Sequence, residues 1–388
     1  MREQGVHNYP AMDRVIYGRP AAAMIVEEAG RLGAQRVMLM VSRTLNTTTG
    51  EIDAIRKELG TRYVATYDSM PQHTTRAACL DAAECARDAS ADLIVVIGGG
   101  SVIDAAKIVP MLVTHGIRDQ DGFDPHVVGA TDVVDSGFRD PAFRAIAVPS
   151  TLNAGEFNAG ALITDDRRQL KQIFYHPKMM PVSVLLDPAL TLHAPPELWF
   201  GSGMRAMDHG IEALSSKNGN PLVDEVTLAG IRHIHDGMLR TRADPADLEA
   251  RRMSQVGAWM SAFGLQARVP MGASHGIGHV LGGTCGVPHY FCTPVMMPSV
   301  LRYNVPETAA AQARLAIALR GEPGADAATA LETLVAKLGL PGSLREVSVG
   351  SDQFARIAAI AINHRFIKSN PRPIRSEEDI ISILEMAA

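Results

Sequence analysis

Cysteine is scarce in this sequence. Four occur in 388 residues, Cys79, Cys85, Cys285 and Cys292, and no two stand in a CxxC spacing. That excludes a disulfide-stapled scaffold and a zinc knuckle, and it fits reduced thiols in a cytoplasmic protein. No run of 18 apolar residues is present, so nothing reads as a membrane span. The opening stretch MREQGVHNYPAMDR has no apolar core, so no secretory signal is read there. A basic excess is also lacking: 37 Lys and Arg face 42 Asp and Glu, for a net charge of -5. A nucleic-acid partner would need a basic stripe. The expected partner is a small molecule.

What is present is an ordinary globular mixture, 46% hydrophobic and 20% charged, in a chain long enough for two domains. The first half alternates short apolar runs with helical spacing. Residues 36–41, 63–67, 93–97, 145–148 and 182–186 read as strands, and 24–32, 52–59 and 76–89 as helices. Such alternation predicts βαβ units and a mostly parallel, Rossmann-like sheet. After Asp187-Pro188 the strand-like runs nearly vanish. Residues 203–215, 222–239, 245–263, 308–319 and 327–338 carry helical spacing instead. The division expected is an α/β dinucleotide-binding domain over 1–188 and an all-α domain over 189–388. The polar stretch 116–140 reads as a surface excursion with room for one strand pair. Trp199 and Trp259 read as core.

The sharpest motif is Gly98-Gly99-Gly100-Ser101-Val102-Ile103-Asp104-Ala105-Ala106-Lys107, set between a strand and a helix. Three glycines let backbone N–H groups approach an anion, and the following helix offers free N–H groups and the positive end of its dipole. Ser101 reads as the N-cap, with Asp104 at the capping-box offset and Lys107 a turn further on. A capped tight turn with no ligand is the plainer alternative. The spacing is neither GxGxxG nor a P-loop, so the motif alone does not name the ligand.

The decapeptide resembles the glycine signature of iron-containing (group III) alcohol dehydrogenases. The likeness continues in order along the chain. Pro149-Ser150-Thr151-Leu152-Asn153-Ala154-Gly155 is similar to a segment that lines the cofactor site in that family. Asp187-Pro188-Ala189-Leu190-Thr191 resembles its interdomain hinge. His275-Gly276-Ile277-Gly278-His279, Gly282 and Pro288-His289 resemble its histidine segment, and Asn370-Pro371-Arg372 a motif near its C-terminus. The resemblance implies the dehydroquinate synthase-like, iron alcohol dehydrogenase fold, with the active site between the two domains, and a homodimer. It also implies NAD or NADP bound by Gly98, Gly99, Gly100, Ser101, Asp104, Lys107, Thr151, Leu152 and Lys171. Asn153, Ala154, Glu156 and Phe157 depart from the family pattern. Arg43, at the end of a strand, suits either a 2′-phosphate or plain solvent, so NAD and NADP both stay open.

By the same resemblance the metal ligands, for Fe2+ or Zn2+, are His209, His275 and His289, with His279 a proton relay. The family's fourth ligand is an Asp one helical turn before His209. Here that place holds Arg205. A guanidinium does not ligate metals and stays charged. At about 5 Å from a divalent ion, with an effective dielectric near 20, the repulsion is roughly 6 to 7 kcal/mol. Asp208 offers a substitute ligand, or simply an ion pair for Arg205. The maleylacetate reductase branch also lacks this Asp, with Asn in its place, and Gly282-Gly283-Thr284 and residues 70–74 resemble that branch. Tyr290, where the family has Gly, either narrows the pocket or packs.

Two mechanisms are open from sequence. A bound metal would act as a Lewis acid during hydride transfer. Without one, Arg205 would hold a substrate carboxylate or polarise the reacting oxygen, with His209, His275, His279 and His289 supplying the general acid. The expected reaction is interconversion of an alcohol and a carbonyl, of the alcohol dehydrogenase or maleylacetate reductase kind. A dehydroquinate synthase-like lyase and a cofactor-binding protein without catalysis are the rival readings.

Overall fold

The computed structural model describes residues 7–128, 136–321 and 324–388. The chain forms two compact units, Pro10–Ala194 on one hand and Met1–Tyr9 with Pro195–Ala388 on the other.

In the first unit the strands are β1 (Arg14–Tyr17), β2 (Val37–Val41), β3 (Tyr63–Tyr67), β4 (Leu93–Gly98), β5 (Ala145–Pro149), β6 (Gly160–Asp165), β7 (Leu170–Tyr175) and β8 (Ser183–Leu186). Its helices are α1 (Ala21–Arg31), α2 (Arg43–Thr48), α3 (Glu51–Leu59), α4 (Arg76–Asp88) and α5 (Gly100–His115). Six strands make one parallel sheet in the order β1-β8-β5-β4-β2-β3. β2, β4, β5 and β8 are buried at every position, which is why they read as unbroken apolar runs rather than alternating ones. The chain runs from β2 outward to β3, then crosses back to β4 on the other side. The ends of β2 and β4 therefore flank a switch point, where open α/β sheets bind ligands.

The strand pair of this unit is the antiparallel hairpin β6–β7, registered from Gly160 opposite Tyr175 to Asp165 opposite Leu170. The polar excursion supplies no strand among the described residues. It contains a short helical turn at Asp121–His126, and its edges bond to β7 through Val128 N to Ile173 O and Ser136 N to Tyr175 O. Residues 129–135 of that stretch, and the first six of the opening stretch, lie outside the described residues.

The second unit is helical: α6 (Pro196–Ser215), α7 (Pro221–Ala243), α8 (Leu248–Ser261), α9 (Phe263–Gln266), α10 (Ala273–Cys285), α11 (His289–Ala318), α12 (Ala327–Leu338), α13 (Phe354–Ala361), α14 (Arg365–Lys368) and α15 (Glu377–Met386). α7 and α8 approach backbone to backbone. A Cβ on Gly230 would lie 2.6 Å from Ser261 N. α11 runs through Pro294, Pro298 and Pro306, and residues 292–301 are buried on all sides. Packing keeps helical a segment whose prolines lower its local propensity. Trp199 is fully buried under the Arg251 guanidinium, 4.8 Å from its ring, whereas Trp259 is half-buried, not core. Asn370 accepts from Ala273 N and pairs with Asn304 across two amide bonds, so it fixes the start of α10. The four cysteines are free, and no helix among the described residues is long and apolar enough to cross a membrane.

Asp187 fastens the first unit. Its buried carboxylate accepts from Ala21 N at 2.7 Å, at the start of α1, and from Ala189 N at 2.8 Å. Replacing it with Ala leaves both donors unanswered. Asp187→Ala is expected to destabilise this unit by about 1 to 3 kcal/mol in urea unfolding, and an unchanged midpoint would refute the role.

Candidate functional site

The glycine turn joins β4 to α5. Gly98 is glycine for an internal reason, since a Cβ there would lie 3.3 Å from that of Ser42. Gly99 has no such reason. Its φ of -91° suits any residue, and an added Cβ would meet only Thr151, at 3.7 Å and beyond. A Cβ would instead fill the space above the turn, the space an external group needs. Ser101 is not the N-cap. Gly99 holds that position and no side chain caps α5. The capping box fails because Asp104 turns elsewhere: it accepts from Leu162 N at 3.2 Å and pairs with Lys107 at 3.0 Å. Lys107 is buried and also donates to Gly160 O at 2.8 Å. Both residues thus bind α5 to the β6–β7 hairpin. The first amides of α5 stay open toward the turn, and Thr151 Oγ1 beside it is buried with no hydrogen-bond partner. Leu152 is buried next to Thr151. Lys171 lies on β7, exposed, and its charge helps lower the pKa of His73, chiefly lowered by burial. His73 and Thr74 both have positive φ, and the Thr74 hydroxyl donates to Ser101 O at 2.9 Å. The turn fits a diphosphate well: free amides, an orphaned hydroxyl and a glycine that only a close ligand explains.

The second group of side chains rises from α6. Arg205, Asp208, His209 and Glu212 recur at helical spacing and share a face. Arg205 is buried; its guanidinium pairs with Asp208 Oδ2 at 3.3 Å and reaches His279 Nε2 at 3.5 Å. Asp208 also accepts from Thr293 Oγ1 at 2.7 Å and Ser274 Oγ at 2.9 Å. Glu212 accepts from Gly272 N and Ser274 N, each at 2.8 Å, and stands 2.7 Å from His275 Nδ1. Asp208, Glu212 and His275 offer three ligand atoms within 4.8 Å of one another, close enough to share one cation.

The histidines gather here. The rings of His209 and His275 are 4.9 Å apart, those of His279 and His289 5.5 Å, and His279 Nδ1 meets His364 Nε2 at 3.2 Å. His209 Nδ1 and His275 Nε2 are buried without a hydrogen-bond partner. Burial drives His209 and His279 well below the usual histidine value, and the Arg205 charge pushes the same way. Burial and Arg205 also work against a charge on His275, but Asp208 and Glu212 outweigh them and raise it. Asp208 is opposed by burial yet held below the carboxylate range by His275 and Arg205. Tyr290 packs on α6, where a Cβ on Gly201 would lie 2.7 Å from its ring.

Sequence reasoning missed five contributors: Ser274 and Thr293, which hold Asp208, Glu212, which holds His275, and His364 with Arg365. Glu212 was detectable, one turn beyond Asp208 on the same face. His364 and Arg365 gave no signal, because only the tertiary fold brings His364 to His279, with Arg365 next to it in the chain. Arg365 stacks 4.6 Å over Phe366, and its Nε and Nη1 are buried without a partner.

A parallel sheet with a diphosphate-ready turn at its switch point, and a helical unit with a histidine cluster, define a nicotinamide-dependent oxidoreductase acting on a small molecule. The chain belongs to the iron-containing alcohol dehydrogenase family. The family described as Iron-containing alcohol dehydrogenase matches residues 12–188, and Fe-containing alcohol dehydrogenase family, C-terminal, matches 200–388. The family uses NAD(P) and iron, and its reaction interconverts alcohols and carbonyls. The chain is 29% identical to Maleylacetate reductase 1 of Cupriavidus pinatubonensis over 94% of its length and 92% of that protein. It is 32% identical to 4-hydroxybutyrate dehydrogenase of Cupriavidus necator, over 91% and 92%. The crystal structure of maleylacetate reductase from Agrobacterium tumefaciens superimposes with a TM-score of 0.84 at 26% identity, covering 100% of this chain and 98% of that one.

Glu156, one place from the family's glutamate, is fully buried beside α5, and burial lifts its carboxyl from the usual 4.5 to about 7, against a smaller opposing pull from Lys107. The folded state then binds more protons than the unfolded one between those values, so stability falls as pH rises from 4.5 through 7. Glu156→Gln should match wild type in unfolding free energy near pH 4 and exceed it by about 3 kcal/mol at pH 8. Equal stability at pH 8 would refute the buried neutral carboxyl.

Proposed function

We propose that the chain reduces a short oxo acid, and oxidises the matching hydroxy acid, with Arg205 in place of a metal ion. The observation that carries this reading is the Arg205 guanidinium, buried and directed at His279 Nε2. A divalent ion at His209, His275 and His289, or at Asp208, Glu212 and His275, does not fit this charge pattern. Asp208 already pairs with Arg205, and Asp208 and Glu212 both face His275. A dication would leave the buried group with a net positive charge and a guanidinium among its neighbours.

The glycine turn, Gly98 to Ser101, with Thr151 and Leu152, would hold the dinucleotide, backed by Asp104 and Lys107, with Lys171 at the hairpin. Bound there, NAD or NADP supplies or accepts the hydride at its nicotinamide. The chain's own residues do the rest. Arg205 polarises the reacting oxygen with a fixed charge. His364 Nδ1 accepts from Phe366 N, so a neutral His364 donates from Nε2 to His279 Nδ1, and a neutral His279 holds its own proton on Nε2, near Arg205, from where it would reach the reacting oxygen. His209 offers its unpartnered Nδ1 to the substrate. Arg365, with two unanswered donors, would take the carboxylate. Both named relatives bear on acids, maleylacetate and 4-hydroxybutyrate, which supports a carboxylate anchor. The α/β unit would be the cofactor domain and the helical unit the catalytic one, in a cytoplasmic homodimer, as the resemblance implies.

Two substitutions separate the roles. Arg205→Ala should lower kcat by about 100- to 1,000-fold for oxo acids and for uncharged aldehydes alike. Arg365→Ala should raise KM for oxo acids and leave aldehyde turnover as it was. An unchanged kcat/KM in Arg205→Ala would refute the assignment.

A further inference from the structure

Asn153 stands beside the glycine turn. Its Oδ1 accepts from Gly155 N at 3.0 Å, closing a small turn that fixes which way the amide faces. The Nδ2 donor then points at the turn. A Cβ added to Gly100 would lie only 2.7 Å from it. The side chain is half-buried, and Ala154, next in the chain, takes a left-handed φ of 62° that swings the segment toward α5.

The surroundings give this donor a partner to seek. Thr151 Oγ1, two residues earlier, is buried without a partner, and a Cβ on Gly99 would be 3.7 Å from it. The first amides of α5 are uncapped. Lys107, the cation on α5, is committed to Asp104 and Gly160 O. The turn is thus a cluster of neutral donors with no acceptor of its own, and such clusters suit phosphate oxygens.

We infer that Asn153 Nδ2 donates to the diphosphate of the bound dinucleotide, as a contact this chain has in addition to the glycine turn. The inference rests on the reading that the turn holds that diphosphate. Asn153 is a binding residue that acts on the part common to NADH and NADPH, so it leaves the choice between them untouched.

The experiment is calorimetric titration of the full chain with NADH, NADPH and ADP-ribose. Asn153→Asp keeps the Oδ1 acceptor and its turn but removes the donor and adds a repelling charge. Asn153→Gly removes the donor without a charge. Gly99→Val tests the turn itself, since a Cβ there meets nothing nearer than Thr151 at 3.7 Å. Asn153→Asp should raise Kd by roughly 10- to 100-fold, by the same factor for all three ligands, at unchanged melting temperature of the free protein. Asn153→Gly should raise it by about 10-fold or less. Gly99→Val should abolish binding of all three. Wild-type affinity in Asn153→Gly, with binding lost in Gly99→Val, would overturn the role of Asn153 and leave the turn standing. Wild-type affinity in Gly99→Val would overturn both. A loss in Asn153→Asp confined to NADPH would also overturn the inference, because it would put the contact on the 2′-phosphate.

Discussion

A guanidinium sealed inside a helical unit must be neutralised, and the way Arg205 is neutralised organises everything around it. Asp208 lies one turn along the same face of α6 and pairs with it. Asp208 is in turn held by two hydroxyls, Thr293 from α11 and Ser274 from α10. The second carboxylate, Glu212, takes the free amides at the start of α10 and faces His275. Two carboxylates thus meet Arg205 and His275, and three helices are fixed to one another through them. Removing any one member leaves an uncompensated buried charge, which is far costlier than the pair is stabilising.

The same balance decides the chemistry. The family's name carries iron, and three ligand atoms here could close on a cation. Glu212 is already held by the amides that open α10, whereas Asp208 Oδ1 and His275 Nδ1 are buried without a hydrogen-bond partner, and the place from which an anion would complete the site is cationic. A fixed positive charge can do part of a Lewis acid's work, since both stabilise a developing oxyanion, but it forms no bond to the oxygen. Proton movement then has to come from side chains. That is consistent with the chain of contacts from Arg205 through His279 to His364.

Much of the fold was legible because buried parallel strands declare themselves. Residues 63–67 and 93–97 could be placed closely from apolar runs alone. β1 escaped because RVIY is four residues long and half-exposed. The hairpin β6–β7 escaped because its partner-facing residues alternate with polar ones inside a stretch read for its motif. α11 was seen only at its C-terminal end. Three prolines hide the rest, and packing overrides them. In the site, the α6 residues and the two α10 histidines share a face by periodicity, so their grouping was readable. Ser101 was misread as a cap because the sequence does not reveal that Asp104 has a better partner in Leu162 N. His364 lies some 85 residues beyond His279 and reaches it only through tertiary packing.

The most direct test of the account is the metal content of protein purified without chelator, measured with turnover of a short oxo acid before and after chelation. The account predicts iron and zinc far below one per chain and turnover indifferent to chelator. About one iron or zinc per chain, with activity lost on chelation and restored by the metal, would contradict it, and would mean that Asp208, Glu212 and His275 release their present partners to hold the ion.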